Sequence, residues 1–223
     1  MVRNYARHRE LSSTKVGGMT SRASGPGRPP GLTGDALLAT ARDVFLEHGY
    51  AGASMEEVAR RARISKASLY RDHSSKTELY TAVVRQWAAA GRDAMRPALE
   101  RLAADDDVRR GLTELAETMR AGILSEPVLR MRRLVIAEAP AHPEVARLYL
   151  EESWNRNIQN LADTLAQLPV DRGLQIDDAH AAASEFTWLV IGPALNAQLL
   201  GVDETGGPVP RAVDAFLARY GRP

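Results

Sequence analysis

Three helix starts crowd into residues 54–78, and that crowding constrains the fold more than any other feature of the chain. Ser54-Met-Glu-Glu57 and Ser75-Lys-Thr-Glu78 are capping boxes, in which a serine hydroxyl accepts from the backbone N–H three residues on. Ser65 lies between them in the same kind of position before an apolar-spaced run. The spacing leaves room for one short helix, a tight turn, a second short helix, and then a third that starts at once. Upstream, Leu37, Leu38, Ala41, Val44 and Phe45 repeat at the spacing of one buried helical face, and Gly49 stands where a helix can end in a left-handed residue.

The rest of the chain reads as helix to its end. A fourth helix carries Leu79, Val83, Val84 and Trp87 and is expected to stop at Pro97 or just past it. A fifth spans Val108 to Ile123, with the Asp105-Asp106-Asp107 run capping it, and a sixth spans Pro127 to Glu138. A seventh, opened by Pro143 and reaching Leu168, would be about 39 Å long. An eighth, begun by Asp177, spans Ala179 to Leu200, and a ninth Pro210 to Tyr220. No strand-like alternation appears, and low aromatic content (5%) beside frequent Ala and Leu favours helices. The expectation is an all-α fold of about nine helices, with an N-terminal helix-turn-helix head and a C-terminal helical bundle.

Composition narrows the chemistry. The chain has no cysteine, and its five histidines form neither an H-E-x-x-H nor a paired E-x-x-H pattern. No nucleophile–base pair, metal cluster or phosphate-cradling loop stands out, so neither an enzyme nor a bound cofactor or metal is expected. The longest apolar run, Phe186 to Leu200, is short for a membrane span and holds Asn196 and Gln198, and no apolar signal core opens the chain. A cytoplasmic protein without a membrane partner is the expectation, with Met19 as a candidate start of translation.

Charge is unevenly spread under a net +1. Residues 1–33 hold Arg3, Arg7, Arg9, Lys15, Arg22 and Arg28 against Glu10 alone. Residues 34–80 balance at seven basic and seven acidic, and residues 81–223 carry sixteen basic against twenty acidic. A basic, disordered arm (1–31), a neutral head and an acidic body suit a molecule that faces DNA with one end. The second short helix of the head offers Ser65, Lys66, Ser68, Tyr70 and Arg71 from one surface. These are hydroxyls and cations for phosphates, with side chains long enough for base edges. Gly25-Pro-Gly-Arg28-Pro-Pro resembles arms that place an arginine in a narrow minor groove.

The stretch R-x-R-I-S-K-A-S-L-Y-R-x-H-S-S-K-x-E-L resembles the TetR/AcrR family of bacterial transcriptional regulators over roughly residues 33–93. Leu69-Tyr70, Ser75-Lys76, Phe45, Gly49 and Ala59 all fall in step with it. The run Leu129 to Arg147 resembles the C-terminal domains of the AefR-like branch. The resemblance implies a helix-turn-helix DNA-binding domain over 32–93, with the motif itself at about 54–73. It also implies an effector-binding and dimerisation domain over 94–223. On the same basis Tyr70, Ser68 and Lys76 are expected on phosphates, Ser54 at a helix end that meets the backbone, and Lys66, Ala67 and Arg71 at base edges. Leu69 and Ile64 should point inward. Arg63 stands where the family has a turn glycine, and His73 where it has a core aromatic.

The eighth helix is apolar nearly all round, so it needs a cover beyond its own core. A second copy of the chain, docked through helices eight and nine, is the expected cover. Trp87, Met95, Met119, Met131, Trp154 and Trp188 are candidates for a ligand cavity within the bundle. The expected function is a homodimeric repressor that reads a pseudo-palindromic double-stranded operator and answers a small-molecule effector. The competing reading is an architectural DNA binder without sequence preference.

Overall fold

The computed structural model describes residues 31–169 and 172–222, so Arg28 and the basic arm before Gly31 lie outside the described residues. Nine helices follow one another among them. They are α1 (Gly34–Gly52), α2 (Met55–Ala62), α3 (Lys66–Asp72), α4 (Lys76–Ala104), α5 (Val108–Ile123), α6 (Glu126–Glu138), α7 (residues 143–167), α8 (Ala179–Leu199) and α9 (Val209–Tyr220). The described residues form no sheet; one antiparallel pairing of Leu174 with Gly221 ties the last residues to the loop before α8. None of their helices is long and apolar enough to cross a membrane.

The serine caps form as the sequence predicts. Ser54 Oγ accepts from Glu57 N (3.2 Å), Ser65 Oγ from Ser68 N (3.0 Å) and Ser75 Oγ from Glu78 N (3.1 Å). The reciprocal halves of the two boxes differ. Glu78 Oε2 accepts from the backbone and hydroxyl of Ser74, one residue before the cap, whereas Glu57 turns away to Arg60 and Arg61. Asp107 caps α5, and Asp178 rather than Asp177 caps α8. Gly49 breaks α1 with φ 68°, a conformation that costs glycine little.

Two helices depart from expectation. α4 does not stop at Pro97 but continues to Ala104, because Ala98 and Leu102 beyond the proline are buried in the body core. That burial offsets the hydrogen bond the proline ring removes. α7 is one continuous rod in three parts: Pro143–Tyr149, a π-helical turn Leu150–Asn155, and Arg156–Gln167. The wide turn releases carbonyls, and side chains take them up. Arg92 of α4 donates to Glu152 O, and Asn157 Nδ2 donates to Ser153 O (2.8 Å).

Apolar packing divides into two clusters. The head core holds Phe45, Val58, Leu69, Leu79 and Tyr80, and α6 and α7 complete it with Met131, Leu134, Val135, Val145 and Tyr149. The body core gathers Leu102, Leu112, Leu115, Phe186, Ile191 and Phe216. The boundary expected near residue 93 falls inside α4, which runs from one cluster into the other. Residues from Gly31 onward form one compact unit.

Candidate nucleic-acid interface and effector cavity

The turn between α2 and α3 sets the angle of the reading helix. Arg63 has φ 58° and ψ 30°, and among the described residues it is the single non-glycine with positive φ. Its N–H donates to Arg60 O (3.2 Å) and that of Ile64 to Ala59 O (3.0 Å), the paired bonds that close a helix on a left-handed residue. The arginine that stands in place of a turn glycine thus adopts the costly left-handed conformation itself. Arg63→Gly should therefore raise stability by about 1 kcal/mol, a Tm gain of about 2–4 °C in thermal unfolding. An unchanged or lower Tm would show that the turn is not strained. Gly31 and Leu32 lie on this turn: Leu32 N donates to Ala62 O (2.9 Å), and a side chain at Gly31 would meet Ile64 and the Arg63 carbonyl.

α3 buries Leu69 completely and leaves Ser65, Lys66, Ala67, Tyr70 and Arg71 exposed, with Ser68 half-buried. Ser65 serves as its cap. Lys66 forms an ion pair with Glu56 of α2, and this contact holds the Glu56 carboxyl below the usual carboxylate range. Arg71 Nη2 donates to Ser68 Oγ (3.0 Å). Glu57 is pulled down to about 2 by Arg60 and then Arg61, and Arg61 also donates to Glu47 of α1 (2.6 Å), so both arginines are engaged within the head. Ile64 is partly buried against the head core and His73 is half-buried at the end of α3.

Lys76, expected on a phosphate, has its ammonium turned to the end of α1. Its ammonium donates to the carbonyls of Tyr50 (2.8 Å), Ala51 (3.3 Å) and Ala53 (3.0 Å), and lies 4.6 Å from the centre of the Tyr50 ring. All three N–H groups are occupied in closing the end of α1, where carbonyls lack helical partners. Beneath it, Tyr50 joins the head to the body: its ring meets His142 at 4.4 Å and Tyr80 at 5.2 Å, and its hydroxyl bonds Thr77 Oγ1 (2.8 Å). Arg130 of α6 adds a donation to Leu46 O (2.7 Å). The buried Tyr80 hydroxyl has no partner, and burial pushes its pKa up.

A cavity of about 370 Å³ lies among α4, α5, α6 and α7, within the usual range for small-molecule sites. Four of the six candidates line it: Trp87, Met95, Met119 and Trp154. Two do not. Met131 is fully buried in the head core, on a different side of α6 from the cavity wall. Trp188 is 51% exposed; its ring packs against Trp154 at 5.2 Å and faces a surface hollow shared with Leu189, Pro193 and Ala215. The sequence reading missed the polar members of the wall. Arg132 and Asn157 line the cavity, and Arg132 Nε and Asn157 Oδ1 are both buried without a partner. Arg132 was concealed among Arg130 and Arg133, and the π turn that brings Ser153, Trp154 and Asn157 to the wall has no distinct sequence pattern.

Comparison with known proteins agrees with this geometry. The family model described as bacterial regulatory proteins, tetR family, matches residues 37–83, and the AefR-like transcriptional repressor C-terminal domain matches residues 110–222. The HTH-type transcriptional repressor Rv3405c of Mycobacterium tuberculosis is 26% identical over 192 residues, covering 84% of this chain and 88% of that protein. A TetR-family regulator from Mesorhizobium loti superposes with a TM-score of 0.78 at 28% identity, over 83% of this chain and 95% of that one. A protein described as the flavonoid-responsive regulator FrrA superposes at 0.67 with 26% identity and the same coverage. The chain belongs to the TetR family of helix-turn-helix transcriptional regulators, with an AefR-like C-terminal domain.

Proposed function

We propose that the chain is a homodimeric, small-molecule-responsive repressor that acts in the cytoplasm on a pseudo-palindromic operator. One observation carries the coupling: α4 and α6 each form part of the cavity wall and part of the head. α4 carries Trp87 and Met95 at the cavity and Leu79 and Tyr80 in the head core. α6 places Arg132 at the cavity and, two residues away, Arg130 on the end of α1. A ligand that moves either helix alters the position of the reading head, provided it binds the two arrangements unequally. The names of the AefR-like repressor domain, Rv3405c and FrrA support the direction and the responsiveness of this reading.

On DNA, Ser54, Ser65, Ser68 and Tyr70 are assigned to the phosphate backbone and Lys66, Ala67 and Arg71 to base edges. Arg28 and the basic arm would add a minor-groove contact. Lys76 would act at one remove, by holding the end of α1. The second copy is assigned to the facet of α8 and α9 where Trp188, Leu189 and Pro193 are exposed. Trp188 also touches the cavity residue Trp154, so ligand and dimer share a wall. Leu189→Asp places a charge on that facet without disturbing a buried side chain. In sedimentation it should shift the protein to monomer and lower operator affinity by at least tenfold. A variant that stays dimeric with full affinity would move the interface elsewhere.

A further inference from the structure

We infer that the cavity takes an aromatic molecule bearing an anionic oxygen group, which Arg132 receives, together with a hydrogen-bond donor directed at Asn157. The inference rests on the reading of this cavity as the effector site. Arg132 supplies the main observation. Its guanidinium lies 4.9 Å from the centre of the Trp154 ring and 5.9 Å from that of Tyr149, within cation–π reach of both. Among the described residues no carboxylate pairs with it, and its Nε–H is buried without an acceptor. A cation so placed, with an unmet donor, is costly unless something completes it. Neighbouring arginines on α6 show the contrast: Arg130 and Arg133 both donate to backbone carbonyls, Leu46 O and Leu199 O. Arg132 alone of the three faces the cavity with capacity left over.

Asn157 gives a second, independent observation. Its Nδ2 is fixed by donation to Ser153 O in the π turn (2.8 Å), which orients the amide. Oδ1 is then turned to the other side, buried and unpartnered at the wall. An acceptor with no donor asks for an O–H or N–H on the ligand. Most of the remaining wall is apolar or aromatic, with Trp87, Met95, Leu115 and Met119 among its residues, and the hydroxyls of Ser125 and Thr187 are already donated to Gly122 O and Ala183 O. An aryl body suits those surfaces, an anionic oxygen suits Arg132, and a positively charged ligand would meet the guanidinium with repulsion.

Isothermal titration of the full-length protein with matched naphthalene probes tests this. Naphthalene-2-carboxylate should bind roughly ten- to a hundredfold tighter than naphthalene-2-methanol, the span of a charge-assisted hydrogen bond at a buried cation. The matching naphthylmethylammonium should bind weakest. Arg132→Met should bring the acid to the affinity of the alcohol while leaving the alcohol unchanged, which also shows that the variant keeps its cavity. In the wild type, 6-hydroxynaphthalene-2-carboxylate should exceed the unsubstituted acid, and Asn157→Leu should remove the excess. If the alcohol and the acid bind equally, the anion assignment falls and the effector reading stands. If the hydroxyl adds nothing, the assignment of Asn157 falls. If no probe binds, charged or neutral, both the inference and the effector reading are overturned.

Discussion

Replacing Lys66 and Arg71 together with alanine should reduce binding to the specific operator by roughly a hundredfold or more, with each good base contact contributing about 1–3 kcal/mol of discrimination. Both side chains are exposed on α3, the face left free once Leu69 is buried. Each is at present held by a neighbour of its own molecule, Lys66 by Glu56 and Arg71 by Ser68. Those are surface contacts of small individual worth, so a guanine edge can displace them. Non-specific, salt-sensitive binding should persist in the double variant, because the basic arm and the hydroxyls of Ser54, Ser68 and Tyr70 remain. Titration of operator and scrambled DNA at two salt concentrations checks this. If affinity for the operator and its margin over scrambled DNA both survive, α3 is not the reading helix.

Lys76→Met should destabilise the head by about 2–3 kcal/mol, the expected cost of removing a charged donor from several partners. Methionine keeps the stem beside Tyr50 but leaves the carbonyls of Tyr50, Ala51 and Ala53 without their donor. DNA binding should weaken on warming, as the end of α1 loosens, and recover at low temperature with an unchanged salt slope. A lysine held on a phosphate would give the opposite pattern. Stability would be untouched and the slope of log affinity against log salt would fall by about one contact. Thermal unfolding together with the salt series separates the two roles.

How far each feature was legible in the sequence depended on how far away its partner stood. Ser54, Ser65 and Ser75 bond N–H groups three residues on, so local pattern was enough to find them. The face of α1 that buries Leu37, Ala41, Val44 and Phe45 was legible for the same reason. Lys76 was not, because its acceptors lie more than twenty residues upstream and are backbone atoms, which carry no residue signature. Met131 and Met119 are alike in composition and setting, yet one fills the head core and the other a cavity wall. The π turn at Leu150–Asn155 shifts the register of α7 with no glycine or proline to announce it. Pro97 announced a helix end that burial of Ala98 and Leu102 overrode. Long-range packing decided each of these, and a single sequence does not display it.

Selection from a random DNA pool with the purified full-length protein bears squarely on sequence-specific reading by paired heads. The selected pool should contain a pseudo-palindrome whose half-sites are centred about one helical turn, roughly 10 base pairs, apart or a multiple of it. Enrichment of single half-sites would contradict the dimeric reading. A pool with no preferred sequence at all would contradict sequence-specific reading and favour an architectural DNA binder.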